Sequence, residues 1–305
     1  MAAAGAAMSA AKRIALLATF GLLVMTAVWG STFVLIKGVV DRMPVADFLA
    51  VRFVVAALAM FALFHRQVGQ LGRRQVLRGV VLGALYGCGQ LLQTWGLSMI
   101  SPSISGFATG MYVVFTPILA TLLLRQRMPA TVWLAVGLAT LGLALLSLNG
   151  FSVDLGVWLT IASALLYGLH IVALGHWSRA DEAFGLSAVQ MAVIALVCLI
   201  ATSGHGGPVL PPDRSAWIAV LYMALVAGAG AMLMQTWAQA HLPATRAAIV
   251  MTTEPVFAAG FAVAFGSDVL TWRMLGGGAL VLAAMYLVEL APKHRPPAEA
   301  IHHEV

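Results

Sequence analysis

The sequence predicts an all-α polytopic membrane protein with ten transmembrane helices arranged as two inverted five-helix repeats. Three observations predict it. The chain of 305 residues is 61% hydrophobic and only 9% charged, against about 25% charged residues in an average soluble domain. That is more apolar surface than a soluble core could hide. Apolar runs such as IALLATFGLLVMTAVWGSTFVLI (14–36) reach the roughly 20 residues needed to cross a bilayer, and the alternating segments of about ten residues that would mark a transmembrane barrel are absent. Lastly, QLLQTWGLSMISPSISGFATGMYVVFTPILA (90–120) is echoed by MLMQTWAQAHLPATRAAIVMTTEPVFAAGFA (232–262).

Polar and turn-forming clusters divide the chain into ten spans: 14–36, 46–64, 76–99, 103–124, 130–149, 155–176, 184–203, 215–240, 243–266 and 271–290. Most separators are short, which makes successive helices antiparallel neighbours. Residues 1–13 form an N-terminal segment. Its short basic stretch resembles the start of a signal peptide, but the run after Lys12 and Arg13 is too long for one, so the first helix is expected to remain uncleaved. Residues 14–149 and 150–290 carry the two repeats, and 291–305 reads as a disordered polar tail. An even number of spans puts both termini on one side. On that side fall Lys12, Arg13, Arg66, Arg73, Arg74, Arg78, Arg125, Arg127, Arg179, Arg246, Lys293 and Arg295. Only Lys37, Arg42, Arg214 and Arg273 fall on the other. The positive-inside bias therefore predicts cytoplasmic termini. The same placement separates the net charge of +6 from nucleic-acid binding, because the basic residues lie between apolar runs. Cys88 and Cys198 both fall inside such runs and read as small packing residues.

The repetition extends beyond the echo. Gln93-Thr94-Trp95 answers Gln235-Thr236-Trp237, Trp29-Gly30 answers Tyr167-Gly168, Arg52 answers Gln190, and Trp133 and Gly137 answer Trp272 and Gly276. Five spans per repeat force the second copy to enter from the opposite face. Two inverted halves can exchange shapes at nearly equal energy, which is the symmetry that alternating access requires. Pro117 and Pro255 occupy equivalent positions near mid-span. Each removes an i→i−4 hydrogen bond, a loss tolerated beside a cavity rather than against lipid, so both are read as hinges.

AVWGSTFVLIKGVVDRMPVADFLAVRF (27–53) resembles the opening of EamA-type members of the drug/metabolite transporter superfamily, with a Trp-Gly-Ser element, a Lys near the end of the first helix and an Arg in the second. TTEPVFAAGFAVAFGSDVLTWRMLGG (252–277) is similar to their ninth-to-tenth helix region with its Glu-Pro pair. The resemblance covers roughly residues 15–290. It departs after the fourth and ninth helices, where Gly-Glu-Arg-like turns are replaced by Arg125-Gln126-Arg127 and Gly266-Ser267-Asp268. It implies a ten-helix carrier of small metabolites, often an amino-acid exporter, in a bacterial inner membrane.

Helical spacing aligns Tyr86, Gln90 and Gln93 on the third helix. It likewise aligns Ser105, Thr109, Tyr112 and Thr116 on the fourth, and Ser163, Tyr167 and His170 on the sixth. A lipid-facing helix has no use for such stripes, so these faces are expected to turn inward, for solute contact or for interhelical hydrogen bonds. Glu254 falls about 15–17 Å along its helix, near the bilayer centre. A proton-coupling carboxyl, a ligand for a solute ammonium and an acceptor at the kink are its three open roles. Arg52 could snorkel, pair with Glu254 or hold a solute carboxylate. Lys37 reads as an interface anchor, and Trp95 and Trp237 as belt or gate residues. Trp29 is the better cavity aromatic. The three glycines Gly83, Gly87 and Gly89, with Gly228 and Gly230 on the eighth helix, read as sites of close backbone approach. The candidate solute-binding set is therefore Trp29, Tyr86, Gln90, Gln93, Thr109, Tyr112, Tyr167, His170 and Glu254.

No zinc-protease, nucleophile-elbow, Walker or Cys-x-x-Cys motif occurs, and His170 and His176 lack a carboxylate at metal-ligand spacing. Neither an enzyme nor a cofactor or metal is expected. The sequence reads as a secondary transporter exporting neutral or zwitterionic metabolites, amino acids first, by alternating access. A lipid-linked substrate flippase and an exporter of lipophilic cations are the alternatives. The expected partners are a small solute and the bilayer, not nucleic acid, with monomer or homodimer left open.

Overall fold

The computed structural model describes residues 2–124, 130–149, 152–205, 207–242, 247, 250–251 and 253–290. The 291–305 tail, Arg246 and the 125–127 turn lie outside the described residues. The first repeat contains α1 (Ala2–Val40), α2 (Val45–Gly69), α3 (Arg73–Met99), α4 (Pro102–Gly110), α5 (Tyr112–Leu124) and α6 (Ala130–Ser147). A minimal antiparallel pair, β1 (Leu148–Asn149) with β2 (Ser152–Val153), leads into the second repeat. This contains α7 (Leu155–Trp177), α8 (Ala183–Ala201), α9 (Arg214–Ala224), a π turn (Leu225–Gly230), α10 (Ala231–Gln239), α11 (Glu254–Ala264) and α12 (Trp272–Leu290). Here α4 and α5 share the fourth span, and α9, the π turn and α10 share the eighth. The chain is thus an all-helical, ten-span, two-repeat membrane protein.

Among the described residues, 13–40, 45–69, 102–123, 155–177, 183–201 and 214–239 are each long and apolar enough to cross a bilayer. At 27 residues α3 is also long enough, but it carries Arg73, Arg74 and Arg78 and the buried Gln90 and Gln93. Helix starts follow local chemistry. The Ser101 hydroxyl accepts from the Ile104 amide with Pro102 at the first helical position, and Asp213 accepts from the Ala216 amide at 2.9 Å to open α9. Asp213 also takes a hydrogen bond from Ser215 and an ion pair from Arg42 at 2.6 Å. The Ser215 and Ala216 hydrogen bonds, then Arg42, hold its carboxyl below the ordinary value.

Packing follows the repeat. Helix α2 packs on α8 and α6 on α12, each against its counterpart in the other repeat, while α3–α7 and α1–α10 exchange under the same symmetry. The tightest crossings rely on glycine. A Cβ on Gly96 would sit 2.6 Å from the Gly156 carbonyl, one on Gly83 2.7 Å from that of Gln190, and one on Gly142 2.7 Å from that of Gly277. With no hydrophobic drive between helices in lipid, such backbone contact is what van der Waals packing has to offer.

Several expectations are corrected. Gly228 and Gly230 belong to the π turn, where missing side chains ease the wider backbone rather than a helix crossing. Lys37, read as an interface anchor, is tied to the bundle itself. Its Nζ donates to the carbonyls of Leu97 at 3.2 Å and Ser98 at 2.8 Å, the open end of α3, where a cation suits the helix dipole. Cys198 is buried, but Cys88 is exposed and faces out of the bundle. In the fourth span the break falls at Met111, not at Pro117, which lies inside α5. A proline ring crowds the carbonyl four residues earlier, so its distortion is placed in the turn before it. Pro255 instead occupies the first turn of α11.

Candidate functional site

One narrow cavity of about 40 Å³, partly open to the outside, lies where the repeats meet. All nine candidate solute-binding residues line it, and so does Arg52. Neither proline does. Half of the lining comes in pairs related by the repeat. Trp29 faces it with Tyr167, and the residues three and four positions on, Thr32 with His170 and Phe33 with Ile171, face it too. The two Gln-Thr-Trp glutamines, Gln93 and Gln235, complete the set. A cavity lined by equivalent residues of both halves lies on their pseudo-two-fold axis.

The helices that carry these side chains approach closely for a local reason. A Cβ on Gly30, beside Trp29, would sit 2.8 Å from the Ala258 amide nitrogen of α11. One on Gly168, beside Tyr167, would sit 3.2 Å from Phe115 Cβ of α5. Each glycine thus brings the leading helix of its repeat against the proline-bearing helix of the other.

The polar side chains form a chain of hydrogen bonds. Arg52 Nη1 donates to Gln90 Oε1 at 3.4 Å, and Gln90 Nε2 donates to the Tyr167 hydroxyl at 2.7 Å. That hydroxyl donates to Gln93 Oε1 at 2.8 Å, and Gln93 Nε2 donates to Thr109 Oγ1 at 3.0 Å. Such a network, spanning α2, α3, α4 and α7, is strong only while every member is satisfied. Tyr86 stacks edge-on against His170, ring centroids 5.1 Å apart. His170 Nε2 lies 2.9 Å from Gln190 Oε1, so the residue that answers Arg52 holds the imidazole.

Glu254 is 4% exposed. The Tyr112 hydroxyl reaches both its Oε2, at 3.1 Å, and the Met251 carbonyl, at 2.8 Å. Among the described residues no ion pair joins Arg52 to Glu254. Arg52 Nε instead donates to the Met223 carbonyl at 3.1 Å, and its guanidinium lies 4.8 Å from the Phe53 ring centroid. These contacts shelter a charge whose cost at the bilayer centre is at least about 2.5–3.5 kcal/mol.

Trp29 has a second task, because its indole N–H donates to the Ala227 carbonyl of the π turn at 2.8 Å. A π turn frees backbone carbonyls, and here a side chain takes one up. Sequence reasoning missed Thr32, Phe33, Ile36, Ile171, Gln235 and Met251 as lining residues. Thr32 and Gln235 were within reach, since each is the repeat partner of a residue already singled out. Phe33, Ile36, Ile171 and Met251 carry no polar signal. Trp95 is partly exposed, and Trp237 stacks on His241 away from the cavity.

The sequence pattern of the EamA-like transporter family matches residues 16–148 and, a second time, residues 154–290. An uncharacterised transporter of Archaeoglobus fulgidus is 30% identical over 280 residues, which span 90% of this chain and 86% of that relative. A crystal structure of a protein 18% identical has the same fold, with a TM-score of 0.67 over 90% of this chain and 96% of that one.

Proposed function

We propose, for a chain that belongs to the EamA-like transporter family and moves small solutes across a membrane, that the solute is a neutral or zwitterionic metabolite, an amino acid first. The observation that carries this reading is the pairwise lining of one cavity by both repeats. A site shared by inverted halves can face either side as the halves exchange shapes, so transport proceeds by alternating access. The breaks that precede the two prolines, at Met111 before Pro117 and at the start of α11 before Pro255, act as its hinges. Arg52 and Glu254 provide one basic and one acidic group in the lining, with amides, hydroxyls and aromatic rings between them, which suits a small dipolar solute better than a multiply charged anion. The carrier lies in a bacterial plasma membrane, as the family resemblance implies, with both termini cytoplasmic, in keeping with its basic loops, and exports its solute.

Counterflow in proteoliposomes tests the reading. Vesicles loaded with unlabelled amino acids should accumulate the labelled solute saturably, and an imposed proton gradient should alter the rate if Glu254 couples protons. No counterflow of any amino acid with folded protein would sink the substrate assignment. A lipid-linked solute is the second reading. One observation favours it: an apolar groove between Leu17, Phe20 and Val24 of α1 and Met234 and Trp237 of α10. Flux of a lipid-linked sugar without amino-acid counterflow would select it.

A further inference from the structure

Hydrogen bonding at the two Gln-Thr-Trp glutamines is unequal. Gln93 Oε1 accepts from the Tyr167 hydroxyl. Trp29 of the first repeat answers Tyr167 of the second and would face Gln235 as Tyr167 faces Gln93, but its N–H is directed to Ala227. Among the described residues Gln235 Oε1 is consequently left with no donor, although the residue is 1% exposed and lines the cavity. Burying an acceptor without a donor is costly, so the open Gln235 oxygen is informative.

A second lining residue carries a buried atom in the same condition. Among the described residues His170 Nδ1 has no partner. Gln190 Nε2 donates to the Leu186 carbonyl at 3.4 Å, which leaves Gln190 Oε1 to accept from His170 Nε2. In the neutral imidazole Nδ1 then carries the lone pair and is an acceptor. Glu254 is the one carboxylate among the described lining residues. On the other side of the balance, Arg52 is engaged by Met223, Gln90 and the Phe53 ring.

We propose that Gln235, His170 and Glu254 form an acceptor subsite that takes the donor end of the solute, a primary ammonium, and that this end rather than a carboxylate is what the cavity recognises. The ammonium does for Gln235 what the Tyr167 hydroxyl does for Gln93. One ammonium nitrogen carries three donors for the acceptors that these lining residues leave open, and the Glu254 carboxyl of the same lining would supply the counter-charge. The proposal rests on the reading of this cavity as the solute site and narrows its chemistry from dipolar solutes in general to those bearing an amino group.

The test is calorimetric titration of the full chain in detergent with two probes of one skeleton, 2-phenylethylammonium and 3-phenylpropionate. The ammonium should bind saturably and the carboxylate should not. Gln235→Leu should weaken ammonium binding about tenfold, the effect of losing one acceptor to a charged donor. Gln239→Leu, on the same helix but outside the lining, should leave it unchanged. Equal or tighter binding of the carboxylate, binding of neither probe, or an unaltered Gln235→Leu variant would each overturn the subsite. Ammonium binding without amino-acid counterflow would sink the amino-acid reading alone. Counterflow that N-acetylated amino acids inhibit as well as the parents do would sink the subsite alone.

Discussion

Helix α3 and the broken helix running from α9 through the π turn to α10 derive from one repeated element, and the two have diverged in complementary ways. The first is an unbroken helix whose glutamines are all engaged, with Tyr86 beside them. The second has Gly228 where α3 has Tyr86, loses α-helical hydrogen bonding over Leu225–Gly230 and leaves Gln235 Oε1 without a donor. Inverted symmetry constrains the backbone path and the cavity's place, while chemistry at equivalent positions is free to differ. One copy holds the network together and the other keeps capacity open for a ligand.

The largest effect is expected where the repeats differ in charge. Glu254→Ala puts an apolar group where the first repeat has the hydrogen-bonding Thr116. It should raise the apparent KM for counterflow about 10- to 100-fold, the range expected when a charge-assisted contact is lost. The Tyr112 hydroxyl keeps Met251 as its acceptor, so the variant should elute as folded protein, and unchanged transport would remove Glu254 from the site. Next, Gly96→Ala places a methyl group against the Gly156 carbonyl and should cost about 1–3 kcal/mol by overpacking. Its counterpart Ala238 already carries that methyl group, so Ala238→Gly should cost only about 0.5–1 kcal/mol. Thermal unfolding in detergent compares the two.

A smaller contrast concerns stability of the glutamines. Gln93→Leu removes the acceptor of Tyr167 and the donor to Thr109 and should lower stability by about 1–2 kcal/mol. Gln235→Leu removes an unpartnered acceptor and should be neutral or stabilising. Equal losses would show that the two positions are alike after all. The smallest effect is at Asp213. Its carboxyl is held below the ordinary value, so its contribution is complete above about pH 4, the usual range, and disappears as pH falls through the depressed value. Asp213→Asn should remove that dependence, lowering stability slightly near neutrality and leaving unfolding below the depressed value unchanged.

Sequence pattern exposed most of the site because polar residues on apolar helices are costly and therefore conspicuous: Tyr86, Gln90 and Gln93 stood out for that reason. Thr32 and Gln235 became visible only when the repeat was applied to every position. The apolar lining at Phe33, Ile36, Ile171 and Met251 stayed hidden, since an apolar residue that faces a cavity looks the same in sequence as one that faces lipid. The break at Met111 was displaced from the proline that the pattern marks, because the steric conflict acts on the preceding turn.

By itself the sequence determined the ten spans, their doubling and the polar stripes, because bilayer thickness and helical period act on local runs of residues. Only the tertiary structure decided which partner each polar group takes. Arg52 turned to Met223 and Gln90 rather than to Glu254, Lys37 closed the end of α3, and Trp29 left Gln235 for the π turn. Hydrogen bonds extend only about 3 Å, so such choices depend on helix register and crossing, which no local run of residues encodes.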